Sequence, residues 1–191
     1  MEKSSSTAQT VSLGVIADTH VPDKTARLHP AVIPTFQQAG VQQIIHAGDI
    51  SSARVLDALS QVAPVLAVKG NRDLYFLSRL PRKINLVYNG ITIGITHGHG
   101  NLKDYFLGKL FYLREGYNFV RYQRVVESIC PTEDVIIFGH SHVPENRWID
   151  GTLFFNPGAA GVVEHKIPRG VGILQISPGG QVAGQHVQLD F

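Results

Sequence analysis

Five short apolar runs in this chain each end in a cluster of aspartate, histidine or asparagine, four of them with glycine. The clusters read Asp18-Thr19-His20, Gly48-Asp49, Gly70-Asn71-Arg72-Asp73, His97-Gly98-His99 and Gly139-His140-Ser141-His142. A short unbroken apolar run is the pattern of a strand covered on both faces, so the polar residues at its carboxyl end fall on the rim of a sheet. Strand ends converge in α/β folds, and residues distant in sequence can meet in one crevice there.

The spacing between the runs favours such a fold. Residues 11–17 predict a strand; Pro30 then suits the first turn of a helix reaching about Ala39, and Gly40 suits its end. Residues 43–47 predict a second strand. Ser51 or Ser52 can cap a helix carrying Val55, Leu56, Leu59 and Val62, which Pro64 stops before a strand over 65–68. Strand, helix, strand, helix, strand implies parallel pairing through crossover helices. The second half predicts hairpins instead: 85–88 with 92–96 around Asn89-Gly90, 147–150 with 152–155 around Asp150-Gly151, and 171–176 with 182–189, besides a buried strand over 135–138. Two sheets packed face to face with helices outside are expected, as a single α/β domain over 11–191 behind a disordered leader, 1–10.

Residues 102–129 interleave rings and cations, Tyr105, Phe106, Phe111, Tyr112, Tyr117, Phe119 and Tyr122 among Lys103, Lys109, Arg114, Arg121 and Arg124. A helix is predicted from about 118 to 129, capped by Asn118, with Val125, Val126 and Ile129 on one face. The aromatic insert, about 102–124, is expected to wall the crevice, to make a homo-oligomer contact or to close the core, since it would otherwise expose a large apolar patch.

Composition narrows the function. With 43% apolar and 17% charged residues among 191, the chain can bury a core. A net charge of +2 and no long basic run argue against extended nucleic-acid or membrane-surface binding and leave a small anionic substrate. The single cysteine, Cys130, can form neither an internal disulfide nor a thiolate cage, which points to a reducing, cytoplasmic setting; it is read as a buried apolar residue. The polar start has no signal-type apolar stretch, and no run is long enough to span a bilayer.

Nine histidines are the oddity. His46 is read as core, and His29, His165 and His186 as packed or solvated. The others stand in the strand-end clusters, where carboxylate, imidazole and amide together form a ligand set for divalent Mn, Fe, Zn or Ni. The neighbouring glycines permit the tight turns that let short ligands share a pocket.

In this order the clusters resemble the calcineurin-like metallophosphoesterase superfamily, whose motifs run D-x-H, G-D, G-N-x-[DE], His-Gly and G-H-[ST]-H. Asn156-Pro157-Gly158 resembles a segment of its small prokaryotic phosphodiesterase branch, and the likeness covers about 13–161. The resemblance implies a four-layer αββα sandwich of two mixed β-sheets and a dinuclear centre. One ion would take Asp18, His20, Asp49 and His142; the other would take Asp49, Asn71, His97 and His140, so that Asp49 bridges. The ions would be divalent transition metals, manganese foremost, with nickel, iron or zinc as alternatives. A hydroxide between them would hydrolyse a small phosphate ester, with Asn71, Arg72 and Asp73 catalytic and Arg72 and His99 contacting substrate.

Arg72 departs from many relatives, which carry a histidine there that can protonate the leaving group. A guanidinium stays charged; it can hold a phosphate oxygen or pair with Asp73. A phosphodiesterase is therefore expected. The alternatives are a phosphomonoesterase, a nuclease, disfavoured by the missing basic stripe, or a non-catalytic scaffold like the retromer subunit that resembles this branch.

Overall fold

A computed structural model describes residues 9–163 and 166–189. The chain runs β1 (Val11–Ile16), α1 (Val32–Gln38), β2 (Gln43–His46), α2 (Ala53–Ser60), β3 (Val65–Ala67), a 3₁₀ turn (Tyr75–Arg79), β4 (Lys83–Tyr88), β5 (Ile91–Thr96), α3 (Leu102–Glu115), α4 (Phe119–Ile129), β6 (Val135–Ile137), β7 (Glu145–Ile149), β8 (Thr152–Asn156), β9 (Gly170–Ile176) and β10 (Val182–Gln188). Most of the expected leader, residues 1–8, and His165 lie outside the described residues. Gln9 and Thr10 are exposed.

The strands form two mixed five-stranded sheets, in the orders β10-β9-β1-β2-β3 and β4-β5-β6-β8-β7. β1, β2 and β3 pair in parallel and β9 and β10 add antiparallel. In the second sheet β5, β6 and β8 are parallel, with β4 and β7 antiparallel at the edges.

The continuous apolar runs arise because successive residues of a strand enter different cores. Ile16 and Ile44 pack with Val32 and Phe36 of α1 and Val55 and Leu59 of α2, outside the first sheet. Their neighbours Val15 and Ile45 turn the other way and meet Ile95, Val135, Ile137 and Phe155 between the sheets. Ile136 and Phe154 face outward from the second sheet onto Phe119, Val126 and Cys130 of the α4 region. The result is helices, sheet, sheet, helices, as expected. The Phe155 ring fills the inter-sheet space so closely that a Cβ at Gly172 or Gly184 would lie 2.5 or 2.7 Å from it; truncating such a ring to alanine costs about 3–5 kcal/mol.

Two local expectations shift. α1 begins at Val32 with Ala31 at its cap, because Pro30 sits in the preceding turn. The insert holds a second helix, α3, ahead of the one placed from the sequence; Gly108 in the middle of α3 lowers helix propensity there and hides the pattern. Asn118 occupies the N-cap of α4 without a side-chain hydrogen bond, whereas Ser52 caps α2 through Arg54 N. No helix among the described residues is long and apolar enough to cross a membrane.

Candidate metal centre

All five clusters follow the carboxyl ends of β1, β2, β3, β5 and β6. The loops are locked together by backbone bonds: Asp18 N–H donates to Gly48 O at 3.0 Å, His20 N–H to Asp49 O at 3.1 Å and Gly139 N–H to His97 O at 3.2 Å. Within them Asp18, His20, Asp49, His140 and His142 adopt positive φ between 49° and 69°. Left-handed backbone costs a residue with a Cβ about 1–2 kcal/mol, and such strain persists where the surroundings over-determine it, typically at functional sites. Gly48, at φ +92°, leaves space where a Cβ would lie 2.7 Å from the His97 ring; at Gly70 a Cβ would lie 2.2 Å from Asp49. Both positions therefore let the ligand loops touch.

The side chains converge in two sets. Asp18 Oδ1 lies 3.3 Å from His142 Nε2 and 3.8 Å from His20 Nε2, and those two nitrogens are 3.2 Å apart. In the second set His97 Nε2 is 3.1 Å from Asn71 Oδ1 and 3.5 Å from Asp49 Oδ1, while the His140 ring centroid is 5.1 Å from that of His97. Asp49 stands between the sets, its Oδ2 3.9 Å from His20 Nε2. Asp18 also reaches Asp49 and His97, the three donor atoms lying within 4.8 Å of one another. The seven residues expected as ligands are thus brought to one crevice from both sheets.

The donor set suits a cation. Asp18 is fully buried; its Oδ2 accepts from His140 N–H at 2.9 Å, but its Oδ1 accepts no hydrogen bond. A buried carboxylate oxygen without a hydrogen bond is costly, and a metal ion between Asp18, His20 and His142 would satisfy it. Burial acts to raise the Asp49 pKa, yet His97, the Arg72 backbone N–H at 2.8 Å and His20 together hold it below the usual carboxylate range. Burial acts to lower His97, but Asp49 overrides it and brings the ring to about 9. His140, by burial and then the His97 charge, falls to about 3. Burial likewise pushes His20 down, so His20 and His140 favour the neutral form that can donate a lone pair.

The remaining candidates divide. His99 lines the crevice, and burial followed by the His97 charge lowers its pKa to about 4. Arg72 also lines it, but its guanidinium does not pair with Asp73. Nη1 lies 3.6 Å from Asp23 Oδ2. Asp73 is fully buried and accepts from the backbone N–H groups of Asp49, Ile50, Ser51 and Gly70 at 2.8–3.0 Å. Expected among the catalytic residues, it has both oxygens committed to backbone donors and instead holds the Asp49 loop. His46 is buried in β2 as read, against Thr19 Oγ1 at 3.1 Å.

Three contributors stand outside the residues expected at the site. Tyr105 and Tyr122 flank His140, with ring centroids 5.9 and 6.2 Å from it; nothing in their spacing distinguishes them from core aromatics. Buried Asn156 donates to Gly139 O at 2.9 Å and Ser141 Oγ at 3.1 Å and so holds the loop of His140 and His142. Its Asn-Pro-Gly context is a signal for it.

Comparison with known proteins agrees with this geometry. The calcineurin-like phosphoesterase superfamily domain model matches residues 11–179. A protein of Methanocaldococcus jannaschii named "Probable metallophosphoesterase" is 36% identical over 156 residues, 78% of this chain and 68% of its own length. Another from that organism, named as a phosphodiesterase, is 27% identical over 163 residues, covering 78% of this chain and 83% of its own. The Vacuolar Protein Sorting 29 structure from Cryptosporidium parvum superposes with a TM-score of 0.70 at 15% identity, over 94% of this chain and 99% of the other, a likeness of fold. With the family model covering β1 to β9 and every candidate ligand loop, the chain belongs to the calcineurin-like phosphoesterase superfamily.

Proposed function

We propose that the protein is a metal-dependent phosphodiesterase that hydrolyses a small phosphate ester. The observation that carries this reading is the convergence of Asp18, His20, Asp49, Asn71, His97, His140 and His142, with a buried Asp18 oxygen left without a hydrogen bond. Asp18, His20, His142 and Asp49 Oδ2 would hold one divalent ion, and Asp49 Oδ1, Asn71, His97 and His140 the second. Such ions, manganese or nickel best suited by the histidine nitrogens, supply Lewis acidity and bring the pKa of a bound water toward neutrality.

The chain's own residues do the rest. Arg72, always charged, holds a non-bridging phosphate oxygen, with Asp23 Oδ2 3.6 Å from its Nη1. Neutral His99, beside His97 and His140 on the crevice lining, offers a hydrogen bond to the ester. The Ala47 carbonyl, 2.7 Å from His97 Nδ1, fixes that ring, and Asp73 fixes the Asp49 loop. With arginine where a histidine could donate a proton, the leaving group departs unassisted, which favours diesters with acidic leaving groups. The relative named as a phosphodiesterase supports that choice. A scaffold is the second reading, supported by the Vacuolar Protein Sorting 29 fold and the exposed apolar residues Phe106, Leu110 and Leu113 on α3; a complete ligand set weighs against it.

The test is hydrolysis of bis(p-nitrophenyl) phosphate by metal-stripped protein resupplied with Mn, Ni, Zn or Mg. No turnover after stripping, and recovery with Mn or Ni exceeding that with Mg, is expected. Undiminished activity in the stripped protein overturns the reading.

A further inference from the structure

The crevice is far larger than a phosphate. It measures about 730 Å³, within the range of sites that enclose a whole organic ligand. Its floor is the ligand cluster, but one wall is α3, from Tyr105 to Leu113, a span of about 12 Å at 1.5 Å per residue. Leu107, Phe111 and Leu113 line this wall, and Val125 of α4 faces the same space. Leu107 and Phe111 are 42% and 40% exposed, apolar surface that the protein itself does not cover. A second cavity of about 530 Å³ adjoins the same helix, sharing Tyr112 and Leu113 and bounded further by Val143 and Ile167.

Gly108 supplies an independent observation. It lies within α3 and on the crevice wall, and a Cβ built there meets nothing within 4 Å. Glycine inside a helix is less stable than alanine, and no neighbour requires the missing side chain. A group lying against the helix backbone would require it.

We propose that the substrate carries an extended apolar ester group, seated along α3 across Gly108 between Tyr105 and Leu113. The proposal rests on the phosphodiesterase reading for the position of the phosphate, since the groove opens from the cluster. Apolar burial along it scales with length, so a longer group binds more tightly up to the end of α3.

The test is a series of p-nitrophenyl alkyl phosphates with methyl, butyl and octyl groups, below micellar concentration, and p-nitrophenyl phenyl phosphate beside them. Water adds to phosphorus and the bond to p-nitrophenolate breaks in every member, so only the retained group varies. With metal-loaded wild type, kcat/KM should rise at least tenfold from methyl to octyl. If the phenyl ester gains as much as the octyl, an aromatic group is the occupant; if octyl gains more, an alkyl chain is. Gly108→Phe, which fills the groove from open space and keeps a helix-compatible residue, should remove that gain. Equal kcat/KM from methyl to octyl, or an undiminished gain in G108F, overturns the proposal. Calorimetry with octyl and methyl phosphate separates the two readings. Octyl phosphate binding at least tenfold more tightly with no ester turned over would sink the esterase and keep the groove. Equal binding of the two overturns the groove whether or not esters are hydrolysed.

Discussion

Single side chains decide whether the ligand loops hold their strained shape. Asp73 collects four backbone donors that no other group serves, so Asp73→Ala leaves several buried N–H groups unpaired, each worth about 1–3 kcal/mol. We expect a stability loss of at least about 3 kcal/mol in urea denaturation, together with loss of metal; a change under 1 kcal/mol would return Asp73 to the catalytic candidates. His46 gives a pH dependence. Burial keeps its folded pKa at about 3, whereas the unfolded ring takes up a proton below about 6.5. The stability from the neutral ring is therefore complete above about pH 6.5 and is lost as pH falls toward 3, about 2 kcal/mol of it between pH 7 and 5. Metal-free wild type should lose correspondingly more stability over that interval than His46→Gln, and parallel pH profiles would show the ring is not held neutral. For Arg72, paired with Asp23 at the crevice rim, replacement by histidine restores a proton donor and removes a fixed charge. The ratio of p-nitrophenyl phosphate to bis(p-nitrophenyl) phosphate hydrolysis should rise; an unchanged ratio means the guanidinium does not meet substrate.

At the scale of elements, the insert divides into unlike halves. α4 is anchored: Phe119 and Val126 are buried against Phe154, and Tyr117 ahead of it stacks on Tyr122 and donates to buried Glu145 at 2.5 Å. α3 buries none of its described side chains. Of the roles the sequence leaves open, closing the core falls to α4, while both helices wall the crevice. Local stability follows buried contact, so native-state hydrogen exchange should find α3 amides at least tenfold less protected than those of α4. Equal protection would mean that α3 is held by something beyond the contacts seen here.

Across the whole molecule, the two sheets bring their strand ends to one centre, so a metal held there as proposed would link its binding to folding. A ligand that binds only the folded state adds about 2.7 kcal/mol at a hundredfold excess over its Kd. Manganese should raise the Tm of stripped wild type and barely move Asp49→Asn, whose lost carboxylate stands between both donor sets; an equal rise in both would deny Asp49 that role. Much of this plan was legible in the chain alone. Strands buried on both faces require continuous apolar runs, tight turns require Asn89-Gly90 and Asp150-Gly151, and ligand chemistry requires carboxylates and imidazoles, all local demands written in residue type. What only the tertiary structure decided are pairings across long sequence separations. Asp73 turns to the Asp49 loop 24 residues away, Arg72 to Asp23, and Asn156 to the loop of His140. The direction of α3 belongs with these, because an unburied helix leaves no periodic apolar stripe to announce which side it faces. Residue type sets what a side chain can bond to; only the packing of both sheets sets which partner arrives.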